Sequence, residues 1–77
     1  MRYYIDIEDR QRYSLDCDGI DLPDHQAAEA EAIAAMLAVC RDAFLGRMQD
    51  EVTASVRDEG GGMLFRVKLT LNKESVG

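Results

Sequence analysis

Residues 16–25 read DCDGIDLPDH, with four aspartates, one glycine and the only histidine of the chain in ten positions. The stretch is either a cation loop or the joint between a strand and a helix, and that choice sets the fold. An EF-hand calcium loop takes ligands at its positions 1, 3 and 5, a glycine at 6 and a bidentate Glu at 12. With Gly19 at position 6, Ser14, Asp16 and Asp18 supply the early oxygens, and position 12 falls on His25, which offers no pair of hard oxygens. An alternating stretch, not a helix, precedes the loop. As a joint, the same residues are all accounted for. Asp18-Gly19 makes a turn, Pro23 stiffens the approach, and Asp24 accepts from the orphan amides of a first helical turn. Asp21 and Asp24 also sit at the positive end of that helix. The joint is the expected reading. Asp16, Asp18 and Asp21 are the candidate ligands if a divalent cation binds here. His25 is expected as a surface residue of the first turn, against the sharper reading of a general base or ligand beside Asp21 or Asp24.

Downstream of the joint, residues 24–45 are rich in alanine and hold no Gly or Pro. Ala30, Ile33, Leu37, Cys40 and Phe44 recur at spacings of three and four, which predicts one buried stripe. Glu29, Glu31, Ala35, Ala38 and Asp42 fall mostly off it. Gly46 is the expected stop. At helical rise this element is about 33 Å long.

Upstream, RYYIDIE (residues 2–8) alternates, with Tyr3, Ile5 and Ile7 on one face and Arg2, Tyr4, Asp6 and Glu8 on the other. Residues 12–17 repeat the device, with Tyr13, Leu15 and Cys17 inward. A three-residue loop, Asp9-Arg10-Gln11, would set Glu8 opposite Arg12 and Ile7 opposite Tyr13. Beyond the helix, residues 50–58 place Val52, Ala54 and Val56 inward, and residues 63–73 place Met63, Phe65, Val67, Leu69 and Leu71 inward. A two-residue turn at Glu59-Gly60 pairs Val56 with Met63, Ala54 with Phe65 and Val52 with Val67, and sets Glu51 opposite Lys68. Gly60-Gly61-Gly62 is turn material and not a phosphate loop, because no helix follows it.

The predicted fold class is α+β, one domain over residues 1–77. Its order is β-β-α-β-β: a four-stranded antiparallel sheet with one long amphipathic helix packed on one face. A right-handed crossover that skips the first strand gives the strand order 2-1-3-4.

Composition narrows function by exclusion. The chain has 77 residues, 47% apolar and 31% charged, with a net charge of −6 and no basic cluster. A phosphate backbone attracts basic patches, so nucleic acid is not an expected partner. The helix carries Glu29, Glu31, Arg41 and Asp42, so no membrane span is expected, and no signal peptide is read. Cytoplasm is the expected location. Cys17 and Cys40 belong to no C-x-x-C pair and form no framework; both are expected as buried, reduced thiols. Tyr3 and Tyr13 read as core aromatics and the methionines as core filler. No cofactor motif and no catalytic residue is read.

The segments RYYIDIED, DCDGIDLPDHQAAEAEA and VRDEGGGMLFRVKLTL together resemble a family of short alphaproteobacterial proteins, frequent in rhizobia, catalogued only as a domain of unknown function. Tyr3, Tyr4, Asp6, Asp18, Gly19, Leu22, Pro23, Asp24 and Asp58 match its pattern. The chain departs from it at Asp9-Arg10-Gln11, where a glycine turn is expected. The resemblance implies the fold and no activity. A weaker architectural likeness is to the N-terminal domain of HicB-type antitoxins. The expected function is a non-enzymatic protein-association domain, most simply a homodimer joined through its last strand. The competing readings are a divalent-cation module at residues 16–25 and an enzyme with an unrecognised site.

Overall fold

The computed structural model describes residues 1–10, 12–44 and 49–76. The predicted helix end at Leu45, the Gly46 stop and Gln11 lie outside them, as do the side chains of Asp42 and Phe44.

The architecture is α+β, with all strand pairs antiparallel and one helix on one face of the sheet. The elements are β1 (Arg2–Glu8), β2 (Tyr13–Ser14), β3 (Ile20–Asp21), α1 (His25–Phe44), β4 (Gln49–Arg57) and β5 (Met63–Asn72). The sheet runs β2-β1-β4-β5, which is the expected order with the helix crossing over β1. A fifth strand was not foreseen: β3 also pairs with β1, setting Arg2 opposite Asp21 and Tyr3 opposite Ile20.

The core lies between α1 and the sheet. Tyr3, Val52, Ala54 and Val56 come from the strands, and Ala28, Ala32, Met36 and Cys40 from the helix. Asp24 caps α1 as predicted: its Oδ1 accepts from the Ala27 amide at 2.8 Å. The helical phase differs from the predicted one. The buried stripe is 28-32-36-40, and Ala30, Ile33 and Leu37 are exposed. The small Ala28 and Ala32 face the sheet in the first half of α1, and Met36 and Cys40 follow them. The larger Ile33 and Leu37 mislead because hydrophobicity alone ranks them first.

Both hairpins are shifted from the expected register. In the first, Glu8 pairs with Tyr13 and Ile7 with Ser14, so the loop is one residue longer than predicted. Asp9 closes it: its amide donates to the Arg12 carbonyl at 2.9 Å and its Oδ1 accepts from the Arg12 amide at 2.7 Å. A one-residue slip turns a strand over. Tyr13, predicted inward, is therefore exposed, at 61%. The predicted strand 12–17 is paired only at Tyr13–Ser14, and Leu15 and Cys17, also predicted inward, are exposed where the chain has left the ladder. In the second hairpin Val56 pairs with Phe65, Ala54 with Val67 and Val52 with Leu69, with a bulge between Val56 and Arg57. The Asp58 carboxylate gathers the turn by accepting from the Gly60 and Gly62 amides at 3.0 and 2.9 Å. The positive φ of the turn falls at Gly61. The bulge puts Met63 opposite Arg57 on the open face, 49% exposed, and Leu64 against the core. Glu51 faces Thr70, and Lys68 reaches it diagonally, Nζ to Oε1 at 4.0 Å.

Candidate functional site

The joint at residues 16–25 is built from the bottom by one missing ladder. Between the pairs Ile7–Ser14 and Tyr3–Ile20, residues 15–19 span what residues 4–6 span on β1. The extra chain leaves the sheet, and carboxylates replace the lost backbone partners. Asp16 Oδ2 accepts from the Ile5 amide at 3.1 Å; its Oδ1 accepts from the Asp18 and Gly19 amides at 3.1 and 3.0 Å. The Asp16 amide in turn donates to Asp6 Oδ1 at 2.9 Å. Gly19 closes the excursion at φ +73°, where a Cβ would lie 2.9 Å from the Tyr4 ring.

Asp6, predicted outward, does face away from the helix, but only 3% of it is exposed. Arg57 covers it, with Nε to Oδ2 at 2.7 Å and Nη2 to Oδ1 at 3.0 Å. The Arg57 Nη2 also donates to the Asp16 carbonyl at 2.9 Å, and the guanidinium lies 5.0 Å over the Tyr4 ring. Arg57 holds the Asp6 carboxyl below the usual carboxylate range, against the opposing effect of burial. Asp16 is also held below that range. Burial pushes it up, but the amides of Gly19, Ile5 and Asp18 and the charge of Arg57 together outweigh it. The Asp6 pair raises the Arg57 value in turn.

Of the candidate cation ligands, the carboxylates of Asp16 and Asp21 are turned to other partners. Asp16 serves backbone amides. Asp18 offers its carbonyl to Arg2 Nη1 at 2.6 Å, and Asp21 Oδ2 meets Arg2 Nη2 at 3.3 Å. Among the described residues no three His, Cys, Asp or Glu side chains converge as a metal site requires. His25 is exposed and sets its ring edge-on to Tyr3 at 5.8 Å. Sequence reading missed the Asp6–Arg57 pair. Its one signal was that both residues fall in the outward phase of strands that the expected order sets side by side.

The other conspicuous feature is the edge of the sheet, which β5 forms among the described residues. Along β1 the Ile5 amide points to the β2 side, where Asp16 meets it, so Tyr4, Asp6 and Glu8 present their backbone groups to β4. Alternation carries through the ladder: Val52, Ala54 and Val56 bond β5 through Leu69, Val67 and Phe65. The backbone groups of Arg66, Lys68 and Thr70 therefore point out from the edge. Val67, Leu69 and Leu71 turn toward the helix side and are only half-buried. Across the open face runs a shallow trough of about 310 Å³ lined by Asp6, Tyr13, Ser55, Met63, Arg66 and Lys68 among others. Among the described residues no helix is long and apolar enough to cross a membrane.

Comparison with curated proteins and with solved structures gives no significant match. Residues 2–70 match a family model that spans most of the chain, and the chain belongs to the family described as Domain of unknown function (DUF6894).

Proposed function

We propose that the chain is a non-enzymatic association domain that joins a second copy through β5, edge to edge, so that one antiparallel sheet runs through both. The observation that carries this reading is the position of β5: a ten-residue strand at the edge of the sheet. Its outward backbone groups at Arg66, Lys68 and Thr70 invite another strand. A domain of this size has a thin core and gains stability from a partner. The proposed setting is the cytoplasm, where an exposed thiol such as Cys17 stays reduced.

Light scattering coupled to gel filtration tests it at tens of micromolar chain. The expected mass is twice the 8.6 kDa of one copy. Thr70→Pro removes an outward amide without touching the inward stripe and is expected to return the monomer with unchanged circular dichroism. A wild-type monomer overturns the reading.

A further inference from the structure

The edge-to-edge reading leaves the register open, and the side chains of β5 select one. A two-fold axis beside Lys68 sets that lysine opposite itself, and an axis beside Val67 sets Arg66 opposite Lys68; like charges directly opposite are unfavourable. An axis beside Leu69 opposes Lys68 to Thr70, Arg66 to Asn72 and Val67 to Leu71, with seven residues overlapping from each copy (66–72). Moving the axis to Thr70 shortens the overlap to residues 68–72. Leu69 is therefore the centre of the longest register without opposed like charges.

The helix bears on the same point independently. His25 touches Tyr3 beside the Tyr4–Arg57 pair, and Arg57 faces Met63, so α1 and β5 begin at the same end of the molecule and run the same way. From His25 to Leu37 is about 18 Å at helical rise, and from Met63 to Leu69 about 20 Å at strand rise. Leu37 is thus level with Leu69. The connection from β3 through α1 to β4 joins parallel strands, and such crossovers are right-handed. That hand turns the α1 flank carrying Ile33 and Leu37 toward β5, and the flank carrying Glu31 and Ala38 toward β1. Ile33 is 41% exposed and Leu37 59% exposed.

We propose that the axis passes beside Leu69, and that Ile33 and Leu37 of the two helices close over it. This rests on the edge-to-edge reading. The two copies of α1 then lie on one side of the joined sheet. With α1 over β4, each helix is one and a half strand spacings from the axis, so the pair is about 14 Å apart or less. Leucine and isoleucine from both sides fill that gap and roof the half-buried Val67, Leu69 and Leu71. The contact is one apolar core shared by two copies, not a strand seam alone.

Two sets of variants test this in the full chain. On a Cys17→Ser background, single cysteines replace Val67, Lys68, Leu69 or Thr70 in turn under mild oxidation. Pairs on the axis of a non-hydrogen-bonded site lie about 4.5 Å apart, within disulfide reach. Leu69→Cys is expected to cross-link fastest; faster linking through Val67→Cys, Lys68→Cys or Thr70→Cys refutes the Leu69 axis. Separately, Leu37→Lys is expected to weaken the dimer on the order of ten-fold or more. Because Leu37 is exposed in one copy, its monomer should keep the wild-type circular dichroism. A Leu37→Lys dimer as tight as wild type refutes the helix closure. In either case a wild-type dimer that Thr70→Pro dissociates leaves the edge reading intact, whereas a wild-type monomer removes both.

Discussion

Arg57 grips Asp6 with two nitrogens across the open face of the sheet, at 2.7 and 3.0 Å, and ties three segments together in doing so. Asp6 belongs to β1 and Arg57 to β4, and both also hold Asp16, through its amide and its carbonyl. A carboxylate this buried is tolerated only with its oxygens satisfied, and here each has a donor. The pair has the two-pronged geometry that makes Arg–carboxylate bonds strong.

The pH dependence of stability follows from that geometry. Asp6 and Asp16 both have native values below the ordinary carboxylate value, which the unfolded chain regains. Ionised carboxylates thus favour the native state. Their contribution is fully present above about pH 4 and is lost as pH falls below it. Asp6→Asn is expected to flatten the acid limb of a stability-against-pH curve, read by urea denaturation between pH 2 and 6. A limb as steep as that of wild type would remove Asp6 as a cause. Asp6→Ala also strands the Asp16 amide and is expected to cost about 1–3 kcal/mol at neutral pH.

Much of the fold was legible because strands and helix obey their own periods. Tyr3, Val52, Ala54 and Val56 fall inward as alternation requires, and Asp24 caps α1 as its side chain suggests. What was not legible depends on where one residue is added. Asp9 closes a longer loop than its neighbours imply, and that turns Tyr13 outward. The bulge beside Arg57 does the same to Met63. The Asp6–Arg57 pair joins positions 51 apart in sequence, and nothing local to either residue marks the other.

The two cysteines should differ in reactivity. Cys17 is exposed and Cys40 buried, which corrects the expectation that both are inward. Thiol titration of the native protein is expected to give one fast thiol and one that reacts only on denaturation. Cys17→Ser should abolish the fast phase. Two slow thiols would contradict the exposed position of Cys17.

Gly19 and Gly61 both adopt positive φ, at 73° and 84°, but only Gly19 is crowded. Alanine at either site meets a backbone penalty of about 1–2 kcal/mol. At Gly19 its Cβ would also lie 2.9 Å from the Tyr4 ring that supports Arg57. Gly19→Ala is therefore expected to lower the denaturation midpoint more than Gly61→Ala. Equal midpoints would mean that the Tyr4 ring moves aside without cost.

The acidic joint is expected to bind no calcium tightly, because its best-placed carboxylate is already spent on the fold. Asp16 accepts from three backbone amides, at Ile5, Asp18 and Gly19, and calcium would have to displace donors that have no other partner in the joint. Asp21 faces Arg2, whose positive charge opposes a cation directly. The consequence is measurable without a binding assay. A ligand at one hundred times its dissociation constant stabilises the native state by about 2.7 kcal/mol. Millimolar Ca²⁺ on a ten-micromolar site would therefore give a large rise in the urea midpoint, and none is expected here. Asp16→Ala separates the two roles. If the carboxylate is structural, the variant is less stable with and without calcium, by the same amount. If it is a ligand, the wild type gains stability from calcium and the variant does not, and a gain that vanishes in this way would overturn the structural reading of the joint.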